Sequence, residues 1–129
     1  MAINSDPTRS KRGDSFKELI VWRRAVAMSV EIYRLTSTFP SSEQFGLTSQ
    51  MRRAAVSVAS NIAEGYGRST RGEYILFLGH ARGSNCELET QLLIASELKL
   101  GNRELLHKVE VLSGEVGRML VAMMAKLRR

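Results

Sequence analysis

The fold this sequence predicts is all-α, an antiparallel up-down-up-down four-helix bundle, and three observations predict it. Proline occurs only at Pro7 and Pro40, so no proline breaks a helix beyond residue 40. Apolar residues recur at three- and four-residue steps in four separate stretches, the spacing that gathers them on one side of a helix. The connections between the stretches are short, which makes successive helices antiparallel neighbours. A chain of 129 residues suits one domain, and 43% hydrophobic residues can fill its core.

Residues 1–14 are polar and include Arg9, Lys11 and Arg12. They lack the apolar run of a signal peptide and are expected to form a disordered basic arm ahead of a bundle domain spanning residues 15–129. The first helix is expected near Ser15, because Ser15 and Glu18 have the spacing of a capping box, in which each side chain satisfies a free amide of the first turn. Leu19, Trp22, Val26, Ser29, Val30 and Tyr33 then mark its buried face. Pro40 excludes helical geometry at Phe39 and ends the element.

The second helix is expected from about Thr48 to Glu64, with Leu47, Met51, Ala54, Ala55, Val58 and Ile62 as its apolar stripe. Gly65 and Gly67 are expected to close it in left-handed conformations. The third opens with a second capping box, Thr70 and Glu73, and runs to Gly101 with Tyr74, Phe77, Leu78, Ala81, Leu88, Leu92, Ala95 and Leu98 inward. The fourth opens at Asn102. Its stripe of Leu105, Val109, Leu112, Val116, Met119, Leu120, Met123 and Leu127 is close to a heptad seam.

A second, polar stripe on helix two points to a structural role. Gln50, Arg53, Ser57, Asn61 and Glu64 follow one another at three- and four-residue steps. A hairpin turning near Arg68 would set Arg53 opposite Ser84, Gln50 opposite Glu87 and Ser57 opposite His80. Gln50, Arg53, Asn61, Ser84 and Glu87 are therefore expected to form a polar seam that fixes helix register, with the arginine fork on the carboxylate. A catalytic carboxylate tuned by arginine is the competing reading of the same residues.

The chain carries 19 Lys and Arg against 13 Asp and Glu, a net charge of +6. That balance favours an anionic partner such as RNA or DNA, or else a solvated basic surface. Arg23, Arg24, Arg52, Arg68 and Arg71 are the expected phosphate contacts. Few aromatics interleave with them, so base stacking is not expected. The alternative is a protein-assembly module whose contacts come from Trp22, Phe45, Met124 or the outer side of helix four.

Other chemistries find little support. No phosphate-binding glycine loop, zinc-type cluster or nucleophile elbow occurs in the sequence. A di-metal carboxylate bundle needs Glu-x-x-His on two helices. Glu104 and His107 give the sole match, off the apolar stripe, and His80 has Phe77 three residues earlier. No metal, cofactor or catalytic residue is expected, and no membrane span. The single cysteine, Cys86, suits a reducing cytoplasm and is expected as a small buried hydrophobe.

Many fixed spacings agree with one family. They include Phe16, Leu19, Trp22 and Ala25; Phe39-Pro40, Glu43 and Phe45-Gly46-Leu47-Thr48; Arg52-Arg53-Ala54-Ala55 and Ser57; Asn61-Ile62-Ala63-Glu64-Gly65; Gly67-Arg68; Gly83-Ser84; and Glu87-Leu88-Glu89-Thr90. From about Ser15 to Leu127 the chain resembles the four-helix-bundle proteins encoded in intervening sequences of bacterial 23S rRNA genes. The accessory protein of diversity-generating retroelements belongs to the same superfamily. The resemblance implies a homo-oligomer, a pentameric ring with a basic surface, and no enzymatic activity. It also implies nucleic acid as a partner, and in the retroelement branch a nucleic-acid enzyme, the reverse transcriptase. Cationic clusters repeated around such a ring would bind anions through multivalency. The arm of residues 1–14 lies outside the family core, and His80 stands where an aliphatic residue is expected.

Overall fold

The computed structural model describes residues 15–129. The expected N-terminal arm, residues 1–14, lies outside them. The described residues form four α-helices and no strand: α1 Ile20–Thr36, α2 Leu47–Tyr66, α3 Arg71–Glu97 and α4 Arg103–Arg128. Each helix touches two others in a closed cycle, α1 with α2, α2 with α3, α3 with α4 and α4 with α1.

The start of the first helix differs from expectation. Ser15 does act as a cap, accepting a hydrogen bond from the Lys17 amide, but the cap belongs to a short 3-10 turn, Phe16–Glu18. Leu19 is extended, and α1 begins only at Ile20. The break leaves carbonyls without helical partners, and Arg23 supplies them: its guanidinium donates to Lys17 O and Glu18 O at 3.1 and 3.3 Å. The turn also lets Phe16 meet the Trp22 ring edge-on, with centroids 5.1 Å apart.

The third and fourth helices start as the sequence indicates. Thr70 Oγ1 accepts from the Glu73 amide, and Asn102 Oδ1 accepts from the Leu105 amide. The helix ends differ more. Gly65 and Gly67 do not take left-handed conformations; Gly65 lies inside α2 and Gly67 keeps a right-handed φ of −81°. Gly65 is needed for close approach instead, since a Cβ there would lie 2.9 Å from the Phe77 Cβ and 3.2 Å from the Tyr74 carbonyl oxygen. The left-handed residues are Lys99, φ 56°, and Gly101, φ 72°. Lys99 and Leu100 return their amides to Ser96 O and Ala95 O, which closes α3 with a Schellman motif.

The core lies along the axis of the cycle. Met28, Ile32, Leu35, Met51, Ile62, Leu78, Leu88, Leu92 and Leu120 are its largest fully buried side chains. Each aliphatic side chain so buried contributes roughly 1.5–3 kcal/mol. The inward face of α2 is the expected one. On α1 the buried stripe is displaced by about one residue, whereas on α4 Val109, Val116, Leu120 and Leu127 are buried as expected and Leu105, Leu112 and Met123 give way to their neighbours. α1 buries Val21, Ala25, Met28, Ile32 and Leu35, not Trp22, Val26, Val30 and Tyr33. α4 buries Leu106, Val109, Ser113, Val116, Leu120, Met124 and Leu127. Leu19, Trp22, Val26, Ser29 and Tyr33 step by three and four just as the buried set does, so periodicity alone does not choose between the two faces of α1. Cys86, expected inside, is exposed.

Candidate functional site

Four of the five arginines expected as phosphate contacts are engaged within the chain. Arg23 caps the 3-10 turn. Arg24 pairs with Glu115 of α4 at 3.2 Å. Arg52 lies over the Tyr33 ring, 4.5 Å from its centroid, and donates to Thr36 Oγ1 at 2.8 Å and to Ser37 Oγ at 3.3 Å. Arg68 pairs with Glu64 at 3.0 Å and Glu73 at 3.6 Å, and stacks on Phe77. Desolvation, the largest single influence, pushes the Glu73 carboxyl up. The Arg68 charge and hydrogen bonds from Thr70 outweigh that and hold it below its ordinary value. Arg71, in the first turn of α3, is exposed.

The polar seam between α2 and α3 is present in part and shifted in register by about one helical turn. Gln50, Arg53, Ser57, Ser84 and Glu87 line one small cleft. The bond that crosses it joins Ser57 Oγ and Ser84 Oγ at 2.8 Å, not Arg53 and Ser84. Asn61 donates to Ser57 Oγ at 3.0 Å and to Ser57 O at 2.9 Å. Arg53 donates to Ser49, and Glu87 accepts from Gln91, so the arginine–carboxylate fork is not formed. His80 is not part of the seam; its ring meets Phe77 edge-on. At this register Gly65 lies against Tyr74 and Phe77, where a side chain would clash.

Two buried polar groups stand outside every expectation from sequence. Asn85 and Ser113 close a pair of hydrogen bonds across α3 and α4, each 3.0 Å long. Glu31 is buried, and its Oε2 holds both Arg34 at 2.6 Å and Lys108 of α4 at 3.3 Å. The signal for Asn85 is a polar residue in the helical step between Ala81 and Leu88. Glu31 gives none, since a single acid on a helix is ordinarily solvated.

A wide open cleft lies on α1 and α2. Trp22, Val26, Ser29, Val30, Tyr33, Val56, Ala59 and Ala63 line an apolar cleft of about 600 Å³. Val30 and Val56 remain 44% exposed and Tyr33 45%. This is the stripe the sequence marks as the buried face of the first helix. Phe45, 90% exposed, lies in an adjoining hollow with Tyr33 and Val56. Met124, expected at a contact surface, is buried under the core at 8% exposure. Among the described residues no three His, Cys, Asp or Glu side chains converge as a metal site would require. His107 is paired loosely with Glu110 at 3.9 Å. No helix among the described residues is long and apolar enough to cross a membrane.

Comparison with known proteins agrees with this architecture. Residues 17–122 match the family described as 23S rRNA-intervening sequence protein. Among solved structures, a protein of unknown function from the S23 ribosomal protein family of Bacteroides thetaiotaomicron VPI-5482 superposes with a TM-score of 0.75. The two share 21% identity over 82% of this chain and 96% of that one, a likeness of fold alone. No curated protein matches the chain.

Proposed function

The chain belongs to the family of 23S rRNA-intervening sequence proteins, and we propose that it works without catalysis, as a homo-oligomeric bundle that presents a basic surface to nucleic acid. The apolar cleft on α1 and α2 carries this reading. A run of Trp22, Val26, Val30 and Tyr33 facing outward is costly to leave in water, and a second copy of the chain would cover it. Between neighbouring helices the numbers rise on one as they fall on the other: Ser29 meets Ala55 and Thr36 meets Arg52, Ser57 meets Ser84 and Gly65 meets Tyr74, Asn85 meets Ser113 and Gly79 meets Met124, Arg24 meets Glu115 and Glu31 meets Lys108. Those contacts support an up-down-up-down bundle, with α1 and α2 side by side at its outer face. The family resemblance supports five copies around an axis and a cytoplasmic setting. The net charge of +6 supports nucleic acid as the partner.

Light scattering coupled to size exclusion tests the assembly. The wild-type chain, 14.4 kDa, is expected at a multiple of its mass. Val30→Lys with Val56→Lys is expected to reduce it to monomer while leaving helicity intact, because both side chains are half-exposed within one chain. A wild-type monomer at ~100 μM would sink the proposal, since Kd values above that mark only transient association. An intact oligomer of the double variant would place the interface on another face.

The second reading, a pure assembly module with a protein partner, draws on Phe45, which projects beside the cleft. It predicts an oligomer with no affinity for RNA or DNA at any salt concentration.

A further inference from the structure

We infer that the nucleic-acid surface is one end of the bundle, the end that carries the start of α1, the α2–α3 turn and the close of α4. This rests on the nucleic-acid reading above and adds where that partner binds.

Packing defines two ends. At one, Thr38 after α1 accepts from the Asn102 amide at the start of α4, and Phe39 fills the space beside Gly101. At the other, Gly65 near the end of α2 meets Tyr74 and Phe77 early in α3, and Gly79 approaches Met124 late in α4. The 3-10 turn before α1 packs on α2 at this second end. Dividing the helices near their midpoints assigns residues 15–28, 57–84 and 116–129 to it, and residues 29–56 and 85–115 to the first.

Charge divides unevenly between these halves. The second end holds ten Lys and Arg against three Glu: Lys17, Arg23, Arg24, Arg68, Arg71, Arg82, Arg118, Lys126, Arg128 and Arg129 against Glu18, Glu64 and Glu73. The first end holds six Lys and Arg against eight Glu. The positive charge of the described residues is thus concentrated at one end, and the other is slightly acidic. An elongated molecule polarised in this way turns its basic end toward a polyanion during encounter.

The composition of the basic end selects the kind of polyanion. Eight of its ten cations are arginines, whose planar forks match phosphate oxygens in pairs. Its exposed large apolar residues, Ile20, Leu76 and Val121, lie on three different helices and form no single face for insertion into a bilayer. The phosphodiester backbone of RNA or DNA fits this surface better than a lipid headgroup layer. Arg71, Lys126 and Arg128, from the start of α3 and the close of α4, are exposed and form no ion pair among the described residues, so they are among the cations free to meet phosphate.

The experiment compares two triple variants of the full chain, each removing three positive charges. Arg71→Gln/Lys126→Gln/Arg128→Gln alters the basic end. Arg53→Gln/Lys99→Gln/Arg103→Gln alters the opposite end. Both are checked for helicity and oligomeric mass, then titrated with a structured RNA and a duplex DNA from ~50 to ~200 mM salt. The basic-end triple is expected to bind duplex DNA at least ~10-fold more weakly at low salt. Its slope of log K against log salt is expected to become shallower by about 2–3, at ~0.9 for each phosphate that the variant no longer neutralises. The opposite triple is expected to match wild type within about twofold. Equal weakening in both triples would overturn the assignment of the end and leave nucleic-acid binding standing. Failure of the wild type to bind either nucleic acid would remove the reading beneath it, and the inference with it. Binding confined to vesicles containing anionic lipid would replace nucleic acid by a membrane surface and overturn the inference as well.

Discussion

Asn85 shows how one residue can hold two helices in register. Its amide donates to Ser113 O, and Ser113 Oγ donates back to Asn85 Oδ1, in a site from which water is excluded. Asn85→Ala leaves the Ser113 hydroxyl without its acceptor, at a cost of about 1–3 kcal/mol, read as a lower urea midpoint. Asn85→Leu combined with Ser113→Ala removes both polar partners and is expected to recover most of that stability. A double variant as unstable as the single would show that packing, not hydrogen bonding, is the role of the pair. Glu31 is a harder case. Arg34 and Lys108 both reach one of its oxygens, while the other is buried without a partner among the described residues. The triad ties α1 to α4, but burial of a carboxylate is itself unfavourable, so it specifies an arrangement more than it stabilises one.

At the scale of elements, the α3–α4 connection is where backbone conformation departs most from the ordinary. Lys99 takes the left-handed position of a Schellman motif, which favours glycine, and Gly101 is left-handed two residues later with Phe39 packed against it. Lys99→Gly is expected to stabilise the fold by up to ~1 kcal/mol, because it relieves a strained φ without disturbing a neighbour. Gly101→Ala is expected to do the opposite, by about 1–3 kcal/mol, since its Cβ would lie 2.7 Å from the Phe39 ring. Denaturation of both variants under identical conditions checks the pair of signs. The caps of α3 and α4 are legible from Thr70, Glu73 and Asn102 because capping is a local chemical requirement. The break at Leu19 is not, because Phe16, Trp22 and Arg23 favour it only once they meet in space.

For the whole molecule, covering of the apolar cleft by a second copy, as proposed, would make folding depend on concentration. If assembly buries Trp22, Val26, Val30 and Tyr33, the thermal midpoint rises as protein concentration rises, by mass action. A midpoint constant over a ~100-fold dilution would separate folding from assembly. The charge distribution acts at the same scale, since no single arginine defines the basic end. Arg23, Arg24, Arg52 and Arg68 look from sequence like free members of basic clusters, and each proves to be held by a nearby acid, carbonyl or ring.

The sequence alone determined the helical class, the number of helices, the inward face of α2 and the caps of α3 and α4. Each of these follows from periodicity or local hydrogen bonding, which depend on residues a few positions apart. It also carried the family resemblance, through many fixed spacings. Tertiary structure decided which of two apolar stripes on α1 faces the core, and where the α2–α3 seam closes. Trp22, Val26, Val30 and Tyr33 are larger in total than Val21, Ala25, Met28 and Ile32, so size points to the wrong face. The choice on α1 depends on the seams that α2 and α4 present at once, and the α2–α3 register on contacts such as Gly65 against Tyr74 and Phe77. Hydrophobicity is additive along a chain, but burial is a competition for a shared interior that only the assembled fold resolves.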